Sequence, residues 1–392
     1  MSVAFVDLFC GMGGASCGAR QAGMRVALAV DGWKEALETH ARNHPDCVHL
    51  CAQLPLEGLP VGFPTGKVHV HASPPCQAFS TANKSTSSAK QQVGGDLVRW
   101  ACQFARQHGT TWSLEQVPNP KVRAILDAEG VEYAILDLSY LGVPQTRRRL
   151  IAGTPFLVRG LKKAHDDAKR SSAPRRSLRD AIGEVCVGTH VRSGTVNGYV
   201  YVDGKRQLVR LQADHPRFAR SVDEPSYTVT CQSNVRWWTP GETRTRLLDP
   251  PHVAALQTFP SDYQLPSKIR DARTQIGNAL PPLLMTLIAR LSQEYIMGGG
   301  EDTSPEIPSI SLKTFSANSA DTSPSPSRTA SDSATDAVTD AAADAVAARA
   351  AASDSESLAE ETTCSAKRSQ LRMPSEPVTR RKSARHAPSD NL

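Results

Sequence analysis

The stretch "VAFVDLFCGMGG", residues 3–14, decides the fold. Residues 3–9 are apolar almost throughout, the pattern of a strand buried on both faces. Gly11, Gly13 and Gly14 follow at once, and a helix of small residues, "GASCGARQAG", runs to Gly23. Glycines in that place let the backbone come close to a ligand at a helix N-terminus. A second strand, "RVALAV", ends at Asp31, where a carboxylate can accept hydrogen bonds from ribose hydroxyls. A nicotinamide-binding turn, or a turn made only for tight packing, carries the same local pattern, so the rest of the chain has to choose.

Outward from this stretch, helix and strand signals alternate. "WKEALETHARNH" (33–44) is helical and stops at Pro45. "KVHVHA" (67–72) is a strand, "GGDLVRWACQFARQHG" (94–109) an amphipathic helix, "TTWSLEQV" (110–117) a strand and "KVRAILDAEG" (121–130) a helix. "VEYAILDL" (131–138) and "RRRLIAGT" (147–154) close the series as strands. This order predicts an α/β fold with a mostly parallel sheet covered on both faces. Residues 160–240 break the rhythm: "RSGTVNGYVYVDGKRQLVRL" (192–211) holds a hairpin-like Asp-Gly turn and predicts a small β-rich insertion. Helix returns at "DPPHVAALQTF" (249–259) and "PPLLMTLIARLSQEYI" (281–296).

Composition narrows the class. A formal charge of +6 over 392 residues permits a nucleic-acid partner without demanding one. No apolar run is long enough to cross a bilayer, and the N-terminus lacks the basic lead of a secretory signal, so a soluble intracellular protein is expected. The nine cysteines form no Cys-x-x-Cys pair, and no His or Cys cluster at zinc spacing follows Cys47 and Cys51. Reduced thiols and no metal are expected. After Gly298 the chain turns to Ser, Ala, Asp, Thr and Pro, a composition that cannot bury a core and is expected to be disordered. It ends with two basic clusters, Lys367-Arg368 and Arg380-Arg381-Lys382, which resemble a bipartite nuclear import signal. If they act as one the protein is nuclear; otherwise it is cytoplasmic.

The chemistry-bearing residues lie at the ends of the strands. Cys76, in "HASPPCQAFST" (71–81), sits just past a strand, at the end where doubly wound sheets bind ligands. Pro74 and Pro75 fix where its thiol points. A buried small hydrophobe, a metal ligand and a nucleophile are all open to it; a structural cysteine more often lies inside an apolar run, as Cys102 does, so the residues favour a nucleophile. The stretch "STANKSTSSAKQQVGG" (80–95) reads as a mobile loop able to close over a substrate. Glu115 ends an apolar strand, a costly place for a carboxyl group without a task. Gln145, Arg147 and Arg149 follow in "QTRRRLIAG" (145–153), the two arginines alternating onto one face. Guanidinium groups there suit a carboxylate or a phosphate, or merely a charged strand edge.

"DLFCGMGG", "SPPCQAFS", "LEQVPN", "QTRRRLI", "ALQTFP" and "QIGNALPPLL" occur in this order over residues 3–297. With them the chain resembles the cytosine-C5 DNA methyltransferase family. The glycine turn, Asp-Leu-Phe-x-Gly-x-Gly-Gly, likewise looks more like an S-adenosyl-L-methionine turn than Gly-x-Gly-x-x-Gly. The resemblance implies a Rossmann-like S-adenosyl-L-methionine-dependent methyltransferase domain with a small β-rich target-recognition region. It implies methyl transfer to C5 of cytosine through a covalent Cys76 adduct at C6, with the target base flipped out of the duplex. Glu115 would stabilise the adduct, and Arg147 and Arg149 would hold the base and its phosphate. Phe9, Gly11 and Gly13 would line the cofactor, Asp31 bind its ribose and Asn278 cap it. Gln77, Ser80 and Gln145 would shape the substrate pocket, and Thr228 or Thr230 would face the target.

The chain departs from the family pattern at several places. Gln116 stands where the family usually has Asn after the glutamate. No acidic residue precedes the Cys76 strand to contact adenine; Cys51 or Gln53 is there instead. Before "ALQTFP" only Arg246 remains as a candidate for the usual leading arginine. The expected organisation is a catalytic and cofactor-binding part at 1–155, a target-recognition region at 156–240, basic at its start (Lys162, Lys163, Lys169, Arg170, Arg175, Arg176), a return to the catalytic domain at 241–297, and a tail at 298–392. A monomer acting on double-stranded DNA is expected. A tRNA cytosine methyltransferase on the same domain and an inactive DNA-binding relative are the alternatives, and the intact Cys76, Glu115 and arginines argue against the second.

Overall fold

The computed structural model describes residues 3–77, 79, 88–183, 190–193, 197–202, 205–210, 220–231, 235–238 and 246–300. Residues 80–87, half of the expected closing loop and Ser80 among them, and the basic clusters of the tail lie outside the described residues.

The first strand, β1 (Ala4–Leu8), is wholly buried, as its apolar residues require, and it takes Asp7 into the interior with them. It turns through Phe9–Gly13 into α1 (Gly14–Gln21). β2 (Arg25–Asp31), α2 (Lys34–Asn43), β3 (Val48–Cys51), β4 (Val68–Ala72), α3 (Ser88–His108), β5 (Thr111–Gln116), α4 (Pro120–Ala128), β6 (Tyr133–Asp137) and β7 (Arg148–Gly153) follow. They build one seven-stranded sheet in the order β3-β2-β1-β4-β5-β7-β6. β1 to β5 are parallel; β7 inserts antiparallel between β5 and β6. The chain reverses between β1/β2 and β4, so the carboxyl ends of β1, β2, β4 and β5 frame the crevice where such sheets bind ligands.

Both faces are covered. α5 (Pro155–Arg170) and α9 (Pro282–Met297) join α1 on one side, packing Phe5, Leu136 and Ile151 under Leu157, Leu284 and Ile288. α3 and α4 cover Val6, Val70, Leu114 and Leu150 on the other. "KVHVHA" shows the consequence in one strand: Val68, Val70 and Ala72 enter the α3 side, while His69 and His71 stack on Phe5 on the opposite face. Its alternation is that of a strand buried twice, once in apolar and once in polar company.

Three elements carried weaker local signals. β3 is only four residues long and partly exposed at the sheet edge. α8 (Ile269–Asn278) buries only Ala272, Gln275, Ile276 and Gly277. α5 starts where the target-recognition region was expected to begin, and its Phe156, Leu157, Leu161 and His165 face inward at helical spacing behind Pro155. Lys162, Lys163 and Arg170 therefore stand on a helix of the central sheet, paired with Asp166 and Asp167. α3 also begins earlier than expected: Ser88–Gly95 form its first two turns rather than part of a loop. Ala89, Lys90, Gln91 and Gln92 are strong helix formers. Gly95 sits where α3 meets Ile125 of α4, whose Cδ1 would lie a tight 3.2 Å from an added Cβ.

Beyond α5, the short α6 (Leu178–Ile182) and α7 (Pro250–Leu256) pack with α8 in a third apolar cluster around Met12, Val229 and Tyr263. Strands β9 (Asn197–Val202) and β10 (Lys205–Arg210) form the expected antiparallel pair. β8 (His190–Ser193), β11 (Arg220–Ser221), β12 (Val235–Trp238) and β13 (Arg246–Leu247) form a second small sheet in the order β11-β8-β12-β13. Among the described residues, no helix is long and apolar enough to cross a membrane, and no cluster of three or more His, Cys, Asp or Glu could hold a metal ion.

Candidate active site

Cys76 follows β4 on a loop tied down at three points. The Ser73 N–H donates to the Leu8 carbonyl at 3.1 Å, joining the loop to the end of β1. Gln116, fully buried, donates from Nε2 to the Pro74 carbonyl at 2.7 Å, and its Oε1 accepts from the Val117 N–H at 2.9 Å. Asn119 donates to the Phe79 carbonyl at 2.8 Å. Gln116, the residue that departs from the family pattern, is thus a bracket beneath the two prolines, and Asn119 of "LEQVPN" is a second that sequence reading did not single out.

The thiol is half-buried. Burial and the nearby Glu115 carboxylate push its pKa up, and Arg149 and Arg147 pull it down. Glu115, at the end of β5, forms an ion pair with Arg149 of β7, Nε to Oε1 at 2.5 Å, both side chains nearly enclosed. The antiparallel insertion of β7 beside β5 brings these two together. A thiol, a carboxyl group and a guanidinium therefore share one end of adjacent strands.

Arg147 and Gln145 go elsewhere. Arg147 is 2% exposed, and its terminal nitrogens donate to the carbonyls of Val229 (2.6 Å), Ala279 (3.3 Å) and Gly277 (3.5 Å). Its terminal nitrogens are thus taken up by backbone carbonyls; its charge acts on Cys76, and burial draws its own pKa down to about 9. Gln145 is fully buried, donates to Leu256 O and Gln257 Oε1, and accepts from the Val229 N–H. Both expected substrate contacts are instead sutures between the strand, the segment 226–231 and the loop before α9. The physical reason is burial: donors enclosed here turn to backbone carbonyls, and Arg147 Nε alone of that guanidinium finds none. Thr228 belongs to the same seam, its hydroxyl donating to Thr146 O, while Thr230 is exposed. Gln77 is exposed beside Cys76.

At the glycine turn, Asp31 is the anchor. Its Oδ2 accepts from the Gly11 N–H and its Oδ1 from the Trp33 N–H, both at 2.7 Å, which closes the turn against the end of β2. A carboxylate has about four lone-pair positions, so acceptor capacity remains for a hydroxyl. Phe9 and Gly11 have positive φ (59° and 52°), and a methyl added at Gly11 would meet nothing within 4 Å: this backbone faces the crevice. Gly13 faces the interior. A Cβ there would lie 2.7 Å from Tyr263 Oη and 2.9 Å from the His40 ring, so it is a packing glycine rather than one that lines a ligand. Phe9 rests edge-on against Trp100 of α3. Asn278 is exposed at the end of α8, and Gln53 lies against Gly32 next to Asp31. Beneath the turn, buried Asp7 accepts from Ser16 N and Oγ, and His40 extends the chain from Ser16 to His49.

The family model of C-5 cytosine-specific DNA methylases matches residues 3–106 and 129–294. The chain belongs to that family. Methyl transfer to C5 of cytosine in DNA is therefore its reaction class. The chain is 27% identical over 315 residues to the type II methyltransferase M.HgiDI of Herpetosiphon aurantiacus, spanning 74% of this chain and 94% of that protein. It is 25% identical over 311 residues to M.HindV of Haemophilus influenzae, spanning 72% and 94%. Among solved structures, the S. pombe Dnmt2 methyltransferase aligns over 76% of this chain and 99% of its own, at 14% identity and a TM-score of 0.47.

Proposed function

We propose that this chain transfers a methyl group from S-adenosyl-L-methionine to C5 of a flipped cytosine in double-stranded DNA through a covalent bond between Cys76 and C6. The observation that carries the reading is the convergence of Cys76 with the Glu115–Arg149 pair at the carboxyl ends of β4 and β5, beside a glycine turn that faces the crevice. Phe9, Gly11, Asp31 and Asn278 would hold the cofactor. When bound, it supplies an electrophilic methyl group for C5.

Cytosine C5 is a poor nucleophile until C6 is attacked. The Cys76 thiolate adds to C6, and the C5=C6 electron pair moves to C5 and into the ring. Glu115 takes up the proton that the Cys76 thiol gives up and donates it at N3, which neutralises the charge displaced into the ring; Arg149 holds Glu115 in place. Once C5 carries the methyl group, its proton is lost to a base, the C5=C6 bond reforms and the Cys76 thiolate departs. Because burial and Glu115 raise the thiol's pKa, the free enzyme keeps Cys76 mostly protonated. Rearrangement of Glu115 onto the base weakens that opposition as substrate binds.

Bisulfite sequencing of DNA from cells expressing the protein is expected to show new 5-methylcytosine at a defined sequence, and none with Cys76→Ala. Purified enzyme is expected to stay covalently attached to DNA carrying 5-fluorocytosine, from which the C5 proton cannot leave. Full transfer by Cys76→Ala refutes the mechanism; label on RNA and none on DNA refutes the substrate.

A further inference from the structure

A continuous chain of buried hydrogen bonds runs under the nucleophile loop. Thr111 Oγ1 meets Ser292 Oγ at 2.5 Å, and His69 Nδ1 meets Thr111 Oγ1 at 2.9 Å. His69 Nε2 meets Ser113 Oγ at 2.9 Å, and His71 Nδ1 meets the same oxygen at 2.8 Å. His71 Nε2 then meets Ser73 Oγ at 2.7 Å. The strand register makes this possible, since His69 pairs with Thr111 and His71 with Ser113. All but Ser73 are buried, and both rings stack on Phe5.

Two neutral imidazoles and four hydroxyls satisfy one another in a single direction along the chain. Burial draws both histidines down to about 3, so they stay neutral at working pH. Ser73 is the end of this chain and also the residue whose N–H meets Leu8 O, one residue before Phe9 of the glycine turn. Its backbone is tied to the turn and its side chain to the core, three residues ahead of Cys76.

We propose that His71 and Ser73 are positioning residues that fix the Cys76 loop relative to the glycine turn, and so set the distance between nucleophile and methyl donor. This rests on the reading of Cys76 as nucleophile. Neither residue touches the substrate. Removal of the Ser73 hydroxyl frees the loop by one anchor and leaves His71 Nε2 buried without a partner.

The test uses the full chain, tritium-labelled S-adenosyl-L-methionine and unmethylated genomic DNA. Ser73→Ala is expected to lower kcat about tenfold, the scale of a small misplacement of reacting groups, at a temperature where the variant is folded, with KM for the cofactor within about twofold and Tm lower by a few degrees because His71 Nε2 loses its partner. Ser73→Thr keeps the hydroxyl and is expected to restore most of kcat. Ser292→Ala, at the far end, is expected to lower Tm and leave kcat unchanged. Wild-type kcat in Ser73→Ala, or failure of Ser73→Thr to recover more than Ser73→Ala, overturns the proposal. Cys76→Ala runs beside them: if it is dead while Ser73→Ala is fully active, the positioning role alone falls; if it is active, the nucleophile reading falls.

Discussion

Replacing Gln116 by Leu removes the bracket under the prolines without changing side-chain bulk much. Two polar backbone groups lose their partner, the Pro74 carbonyl and the Val117 N–H, and Gln116 is fully buried, so water does not replace it. Each such group left unsatisfied costs about 1–3 kcal/mol, roughly 2–6 kcal/mol together. The leucine side chain returns roughly 2 kcal/mol by apolar burial. A net loss of about 2 kcal/mol lowers Tm by about 3 °C in a domain of this size. The loop held by Pro74 carries Cys76, so kcat is expected to fall as well, by more than the stability change explains at a temperature where the variant is folded. Gln116→Asn, one methylene shorter, is expected to lie between the two because its amide reaches one backbone group but not both. Thermal unfolding and single-turnover methyl transfer read both effects. A Gln116→Leu protein with Tm within about 1 °C of wild type and unchanged kcat refutes the bracket.

Arg147 and Arg149 are expected to separate in activity. Arg147→Met removes a buried guanidinium from three carbonyls and costs about 3 kcal/mol, seen as a lower Tm; Arg149→Ala also lowers Tm, because it leaves the nearly enclosed Glu115 unpaired, and in addition abolishes transfer at a temperature where the variant is folded. If Arg149→Ala is active, the pair has no catalytic part. Stability is expected to fall as pH drops below about 6.5, the ordinary histidine value. His69 and His71, held near 3 in the folded state, bind protons more readily when unfolded, so their contribution is full above 6.5 and is lost toward pH 3. At pH 5 that is about 2 kcal/mol for each. Asp7, raised to about 7, opposes this, since its contribution is full below 3.8 and is lost as pH rises through 7; acidification to pH 5 returns roughly 2–3 kcal/mol. The histidine pair outweighs it, and a Tm that rises between pH 7 and pH 5 contradicts the buried-neutral assignment. Deleting residues 363–392 is expected to leave a fluorescently tagged protein in the cytoplasm of a eukaryotic host; unchanged nuclear signal removes the import reading.

The sequence by itself determined what is local. A nearly continuous apolar run, broken only by Asp7 and followed by glycines, reads as a buried strand entering a tight turn, and Asp31 at the next strand end closes it. Cys76 after two prolines and Glu115 at the end of an apolar strand were legible because a reactive or charged group at such a place is costly without a task. What the local pattern could not show was partnership at a distance. Arg147 and Arg149 look alike in "QTRRRLI", yet one is spent on carbonyls 82 to 132 residues away and the other on Glu115. Gln145, expected as a substrate contact, and Gln116, a departure from the family pattern, are both brackets whose acceptors come from other parts of the chain. The histidines of "KVHVHA" showed only alternation; their alignment with Thr111 and Ser113 exists because β5 lies in register beside β4. Hydrogen-bonding capacity is written in each residue type, but burial decides whether water or another residue must satisfy it, and only the tertiary structure decides burial.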